Sequence, residues 1–218
     1  MEQLSQFGLQ RSGANFTHYL LTKNYDCEID QRNGHTWKHG YYREYSHDGI
    51  DFEQEKHVVI TIKDPFSWLV SVYNYFKKYH KQDFPQFIRT KWAFEGYVNS
   101  NPIYHWNRMY DHWSTLMLDH KRVAVVKYED LLKAPEHTLD AIAGKFKINK
   151  VGQSFIVPKN RINPSVVMIE ELFDAKYYSQ RKYIEEYTLE DIHFIKSQLS
   201  KPLMNKYYPA VGSDERLS

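Results

Sequence analysis

Apolar positions along the chain come in short blocks separated by polar, glycine-bearing stretches. Leu4 to Leu9 has the pattern of a short strand and runs directly into a turn, Gly8 to Gly13. Asn15 to Lys23 reads as helix, so the chain opens as strand, loop, helix. Tyr25 to Glu55 is polar with scattered Gly, His and Tyr, and is expected to be an irregular excursion. The β-branched run His57 to Ile62 (HVVITI) predicts a buried strand. After it, Asp64 suits an N-cap and Pro65 a first helical residue. Leu69, Val72, Tyr73 and Phe76 then recur at helical spacing.

The same reading continues downstream. A helix is expected from about Tyr104 to Leu118, a strand over Arg122 to Lys127, and a helix from about Pro135 to Phe146. Thr188 and Asp191 have the spacing of a capping box before a helix that runs to Leu199. Strands alternating with helices predict one domain over residues 1–218. Its class would be α/β, a three-layer α/β/α arrangement around a central parallel sheet. Ligands of such folds sit beyond the carboxyl ends of the strands, where Arg11 and Lys63 both fall.

Composition narrows the function classes. A chain of 218 residues with a net charge of +2 is no general nucleic-acid binder, so any anion site must come from local placement of basic residues. The single cysteine, Cys27, rules out an internal disulfide and fits a reducing, cytoplasmic setting. The first residues show no signal-peptide pattern, and no apolar run approaches the ~20 residues of a membrane span. No His/Cys spacing suits zinc and no G-x-S-x-G elbow is present, so neither a metal centre nor a serine hydrolase is expected.

The candidate chemistry lies in Gly8-Leu-Gln-Arg11-Ser12-Gly13-Ala14-Asn15. Its G-x-x-x-x-G spacing after a strand and before a helix is that of a phosphate loop, where amides and a helix N-terminus converge on an anion. A nucleoside-triphosphate loop would continue with Lys and Ser or Thr. Here Ala14 and Asn15 stand there, and the cation, Arg11, is inside the loop. A second anion could be held by Lys63 and the Ser71 hydroxyl, which suits a ligand with phosphates at both ends.

These residues resemble the family of sulfotransferases that use 3′-phosphoadenosine 5′-phosphosulfate (PAPS). GLQRSGANF is similar to the family's 5′-phosphosulfate loop, and VVITIKDPFSWLVSVYNYF to its 3′-phosphate element, with Ser71 eight residues after Lys63. VVKYEDLLKAPEHTLDAIAGKF is similar to its third landmark, and Thr188 to Tyr208 to its closing helix. The resemblance implies a P-loop NTPase-like fold. It also implies that Arg11, Ser12, Gly13, Ala14 and Asn15 hold the 5′-phosphate and sulfuryl group, with Phe16 near the adenine. Lys63 and Ser71 would bind the 3′-phosphate and Tyr128 the adenine edge. Ala14 and Asn15 depart from the usual Thr pair, and Lys63 from the usual Arg, which forfeits a bidentate fork. The late glycine-rich segment of the small-molecule branch is not evident, so the match leans toward carbohydrate- or protein-modifying relatives. Lys159 and Arg161 are candidate substitutes for it.

Sulfuryl transfer also needs charge stabilisation and a base. Arg11 suits the leaving group. His39 suits the base, with Lys38 adding positive potential; His35, Glu28 and Glu53 are alternatives. The expected partners are PAPS, its product 3′,5′-ADP and a hydroxyl-bearing acceptor such as a saccharide. Aromatics from Trp92 to Trp113 could line a sugar cleft or simply pack helices. Two other classes stay open: a kinase with a degenerate loop, and an inactive 3′,5′-ADP-binding protein.

Overall fold

The computed structural model describes residues 1–30, 38–40, 57–79, 81–94, 97–119, 122–159 and 175–211. The chain divides into two compact units, Met1–Lys63 with Thr115–Ala175, and Asp64–Ser114 with Lys176–Ser218. Its class is α/β, with a central parallel four-stranded sheet flanked by helices.

The first unit holds that sheet. Strands β1 (Glu2–Gly8), β2 (Cys27–Asp30), β3 (His57–Ile62) and β6 (Val123–Lys127) lie in the order β2-β1-β3-β6, every neighbour parallel. Register puts Gly8 beside Thr61 and Ile62 beside Lys127, so β1, β3 and β6 end at one rim. Leu4, Val59, Ala124 and Val126 share a face that packs with α1 (Ala14–Asn24) and α6 (Pro135–Phe146) through Leu20, Leu21, Leu139, Ile142 and Phe146. Each such side chain, taken fully from water, contributes roughly 1.5–3 kcal/mol. The other face carries Phe7, Ile60 and Ile62, all buried. A short helix, α5 (Tyr128–Lys133), follows β6 directly, with Glu129 and Asp130 in its first turn, where carboxylates suit the helix dipole.

Strand β2 corrects the expectation of an irregular stretch from Tyr25 to Glu55, at least over Cys27–Asp30. Cys27 is buried and Glu28 exposed, the alternation of an edge strand.

The second unit begins with α2 (Pro65–Phe76). Asp64 caps it as expected, its Oδ1 accepting from the amides of Phe66 at 2.8 Å and Ser67 at 3.2 Å. Then come α3 (Phe84–Arg89), the antiparallel hairpin β4 (Trp92–Phe94) and β5 (Tyr97–Asn99), and α4 (Pro102–Asp119), which runs on past this unit. The short helix α7 (Ala175–Ser179) leads to a 3-10 turn, Lys182–Glu186, then α8 (Leu189–Gln198) and α9 (Lys201–Tyr207). The capping box of α8 is formed by Thr188 and Asp191. Arg181 faces the buried Asp64 across 3.6 Å, and Tyr187 Oη donates to the Phe66 carbonyl at 2.5 Å, so the 3-10 segment is tied to the start of α2. The aromatics weighed as a sugar cleft are largely packing. Trp106, Tyr110 and Trp113 are buried in edge-on pairs, and Trp92 stacks edge-on against Phe76 and Phe87. No helix among the described residues is long and apolar enough to cross a membrane.

Candidate functional site

The site is built on the turn between β1 and α1. The Ser12 amide donates to the Leu9 carbonyl at 3.0 Å, closing a tight turn with Arg11 at φ 68°. A left-handed non-glycine residue costs about 1–2 kcal/mol, so this turn is held against its own preference. Gly13, at φ 92°, is the N-cap of α1, and no side chain caps the helix there. The first amides of a helix have no intrahelical acceptor, and the dipole adds positive potential at the same point. The result is an anion-favouring helix start. Beneath it, Gln6 Nε2 donates to the Ala14 carbonyl at 2.7 Å, which anchors the helix to the strand.

Both glycines are required by close approach. A Cβ on Gly8 would stand 2.8 Å from Ser12 Oγ and 2.9 Å from the Thr61 carbonyl. A Cβ on Gly13 would stand 2.2 Å from the Tyr128 ring. Tyr128 thus forms the floor of the loop. Phe16 meets the same ring edge-on at 6.2 Å, and the buried Lys63 places its Nζ 4.8 Å from the ring centroid. Cations over aromatic faces are favourable, the more so when removed from water.

A third segment arrives from thirty residues along the chain. The Gly8 amide donates to the Lys38 carbonyl at 3.0 Å. His39 Nδ1 lies 2.5 Å from the Gly8 carbonyl. A carbonyl only accepts, so Nδ1 carries the proton and Nε2 is the acceptor nitrogen of this ring. Lys38 Nζ donates to Asn15 Oδ1 at 2.7 Å, which sets an ammonium beside the helix start. Burial lowers the Lys38 pKa to about 8, leaving the amine mostly charged at pH 7. Burial, reinforced by Lys38 and opposed by the Gly8 bond, lowers His39 to about 4, so its imidazole is neutral there.

Of the residues singled out in the sequence, the structure gathers Arg11, Ser12, Gly13, Ala14, Asn15, Phe16, Lys38, His39, Lys63 and Tyr128 around this loop. Arg11 is exposed at the turn. Ser12 is wholly buried, and its hydroxyl has no hydrogen-bond partner. Asn15 accepts the Lys38 ammonium on its Oδ1, the acceptor half of its amide. Ser71 lies half-buried in α2, in the second unit. Lys159 is exposed. Glu28 is exposed, accepts from Gln3 at 2.7 Å, and sits at the opposite end of β1 from the loop. His35, Glu53 and Arg161 lie outside the described residues. Two loop neighbours escaped the sequence reading. Gln6 could have been found as an amide between Leu4 and Phe7 in the buried part of β1. His18 stands three residues after Asn15, on the same helix face.

Among the described residues no group of three or more His, Cys, Asp or Glu is placed to hold a metal. The polar groups that converge are donors and cations, which is the chemistry of an anion site. Set against known protein families, curated proteins and solved structures, the chain matches none.

Proposed function

We propose that this chain is a sulfotransferase that moves the sulfuryl group of PAPS to an acceptor hydroxyl and releases 3′,5′-ADP. One observation carries the reading. The uncapped start of α1 is approached by two buried lysines, Lys38 through Asn15 and Lys63 through Tyr128. A nucleotide phosphorylated at both ends asks for two cationic points. The Lys–Ser/Thr pair of a triphosphate loop is absent at Ala14 and Asn15. On this reading the sheet, loop and helix form a three-layer, P-loop NTPase-like frame, and Cys27 and the composition suit the cytoplasm.

Catalysis would be positioning and charge stabilisation, as in phosphoryl transfer. The loop amides and Lys38 would face the transferring group, Arg11 would offset charge on the leaving 5′-phosphate, and Lys63 would hold the 3′-phosphate. His39 secures Gly8 from the adjoining segment.

A thermal-shift titration tests this. At about 100 times its dissociation constant, 3′,5′-ADP should add about 2.7 kcal/mol, raising Tm by roughly 5–10 °C, while ATP with Mg²⁺ does little. The reverse pattern would identify a kinase. Binding of 3′,5′-ADP without turnover of PAPS on any acceptor or water would identify an inactive binding protein.

Lys63→Met keeps the alkyl packing on Tyr128 and removes the charge. It is expected to weaken 3′,5′-ADP about tenfold or more and 5′-AMP less than about twofold. Equal weakening of both would remove Lys63 from the 3′-phosphate.

A further inference from the structure

The end of α2 gathers lysines around exposed rings. Lys77, Lys78 and Lys81 follow Phe76 in quick succession, and Lys91 precedes the Trp92 that meets Phe76 edge-on at 5.5 Å. All four lysines are exposed. Among the described residues none of them comes within ion-pair distance of a carboxylate. Elsewhere the chain pairs such charges, Lys150 with Glu136 and Asp140, and Arg89 with Glu190 and Asp191. From Asn74 to Ala93 the sequence holds one acid, Asp83, whose Oδ1 accepts the Gln86 amide as the cap of α3. Two tyrosines stand among the cations, Tyr75 at 43% exposure and Tyr79 at 71%. Phe76 meets both, at 4.9 and 6.4 Å between ring centroids, and Lys78 Nζ lies 4.7 Å from the centroid of Tyr79. A helix C-terminus favours a cation through its dipole, but that asks nothing of large rings held in water. Exposed ring surface rimmed by charge marks a place of contact.

We propose that this helix end is a docking surface for an anionic lipid membrane, on which the chain rests without crossing it. The surface belongs to the second unit, and it stands or falls independently of the sulfotransferase reading. Two features choose a membrane over a soluble polyanion. First, the unpaired cations are all lysines, and the one arginine of the stretch, Arg89, is committed to Glu190 and Asp191. Lysine is a point charge that suits a diffuse negative surface, whereas phosphate and base recognition favour the forked, stacking guanidinium. Second, Tyr75 and Tyr79 project among those charges, and an apolar ring with a polar tip matches the headgroup layer of a bilayer. Lysine stems lie along such apolar surface while the ammonium reaches the headgroups. The attraction grows with the number of lysines and is screened by salt.

Vesicle co-sedimentation of the full chain tests this, with phosphatidylcholine alone and with phosphatidylcholine carrying about one-third phosphatidylserine. The wild type is expected to sediment with the mixed vesicles and not with the neutral ones, and less as salt rises. Each lysine near such a surface contributes about fivefold, so a chain with Lys77→Gln, Lys78→Gln and Lys81→Gln should bind about 100-fold more weakly. Lys81→Gln alone, beyond the end of α2, repeats the test at about fivefold should the triple variant melt below the wild type. Tyr79→Ser keeps every charge and should weaken binding about threefold or more, because ring burial adds to the electrostatic attraction. Equal sedimentation of the wild type with neutral vesicles, or with neither kind, overturns the proposal. So does wild-type affinity in the folded lysine variants or in Tyr79→Ser. Tighter binding of the wild type to heparin or to a single-stranded oligonucleotide than to the mixed vesicles assigns the surface to a soluble polyanion and overturns it too.

Discussion

A chain carrying Gly13→Ala is expected to melt about 10 °C below the wild type and to lose its response to 3′,5′-ADP. Two effects add. The residue sits at φ 92°, which L side chains rarely adopt, at a cost of about 1–2 kcal/mol. The new methyl would also stand 2.2 Å from the Tyr128 ring, and overpacking of that kind costs about 1–3 kcal/mol more. Tyr128 is itself packed, edge-on with Phe16 and beneath the Lys63 ammonium, so moving the ring disturbs both contacts. Gly144→Ala is the matched control. It lies inside α6 with nothing within 4 Å of the added carbon, so it should stabilise by about 0.5–1 kcal/mol. Calorimetric melting of both variants decides the matter; a Gly13→Ala chain with wild-type Tm would mean that Tyr128 is not the floor of the loop.

The second large effect is on acid stability. His39 is lowered from 6.5 to about 4 in the folded chain, chiefly by burial. Between those values the unfolded chain binds the extra proton, so stability is full above pH 6.5 and falls as pH drops to about 4. The difference corresponds to about 3 kcal/mol, an upper bound for one group. His105, lowered to about 4 by burial and then Arg108, acts in the same direction. Asp64, raised by burial against the pull of Arg181, acts in the opposite one. The His39 share is therefore read by difference. Urea unfolding at pH 7 and pH 4.5 should show a larger loss in the wild type than in His39→Gln. Equal losses would mean that the His39 imidazole is not buried neutral against Gly8.

Much of the frame was legible because local chemistry and burial agree there. HVVITI is apolar on both faces, as a central parallel strand must be, and β3 matches it. Asp64-Pro65 and Thr188-Asp191 cap helices through their own side chains, so their signals need no tertiary context. Asp83 and Gln86 form the same kind of box before α3, a signal equally local to the chain. The edge strand β2 hid behind the charge of Glu28, and β4 and β5 are three residues each, too short for any period to show. At the site, the glycines and Arg11 declare themselves by spacing. The pairing of Lys38 with Asn15 does not, since it joins residues of a polar stretch to a helix across the fold. Nor is the state of His39 legible: burial moves its imidazole far below the near-neutral value that the residue type suggests, and the bond to Gly8 joins positions 31 residues apart.

The sheet order carries a consequence for how the chain is made. β3 pairs with β6 across a connection of about 60 residues, so its closure must wait while Asp64–Ser114 is synthesised. Gly8, Arg11 and Gly13 leave the ribosome early, but Tyr128, on which Gly13 and Lys63 rest, leaves much later. A nascent or truncated chain that stops before Tyr128 carries the whole loop motif and lacks the surface that shapes it. The loop therefore cannot take its final shape until Tyr128 has emerged, and a messenger cut short before that codon yields the loop sequence without the ring it rests on.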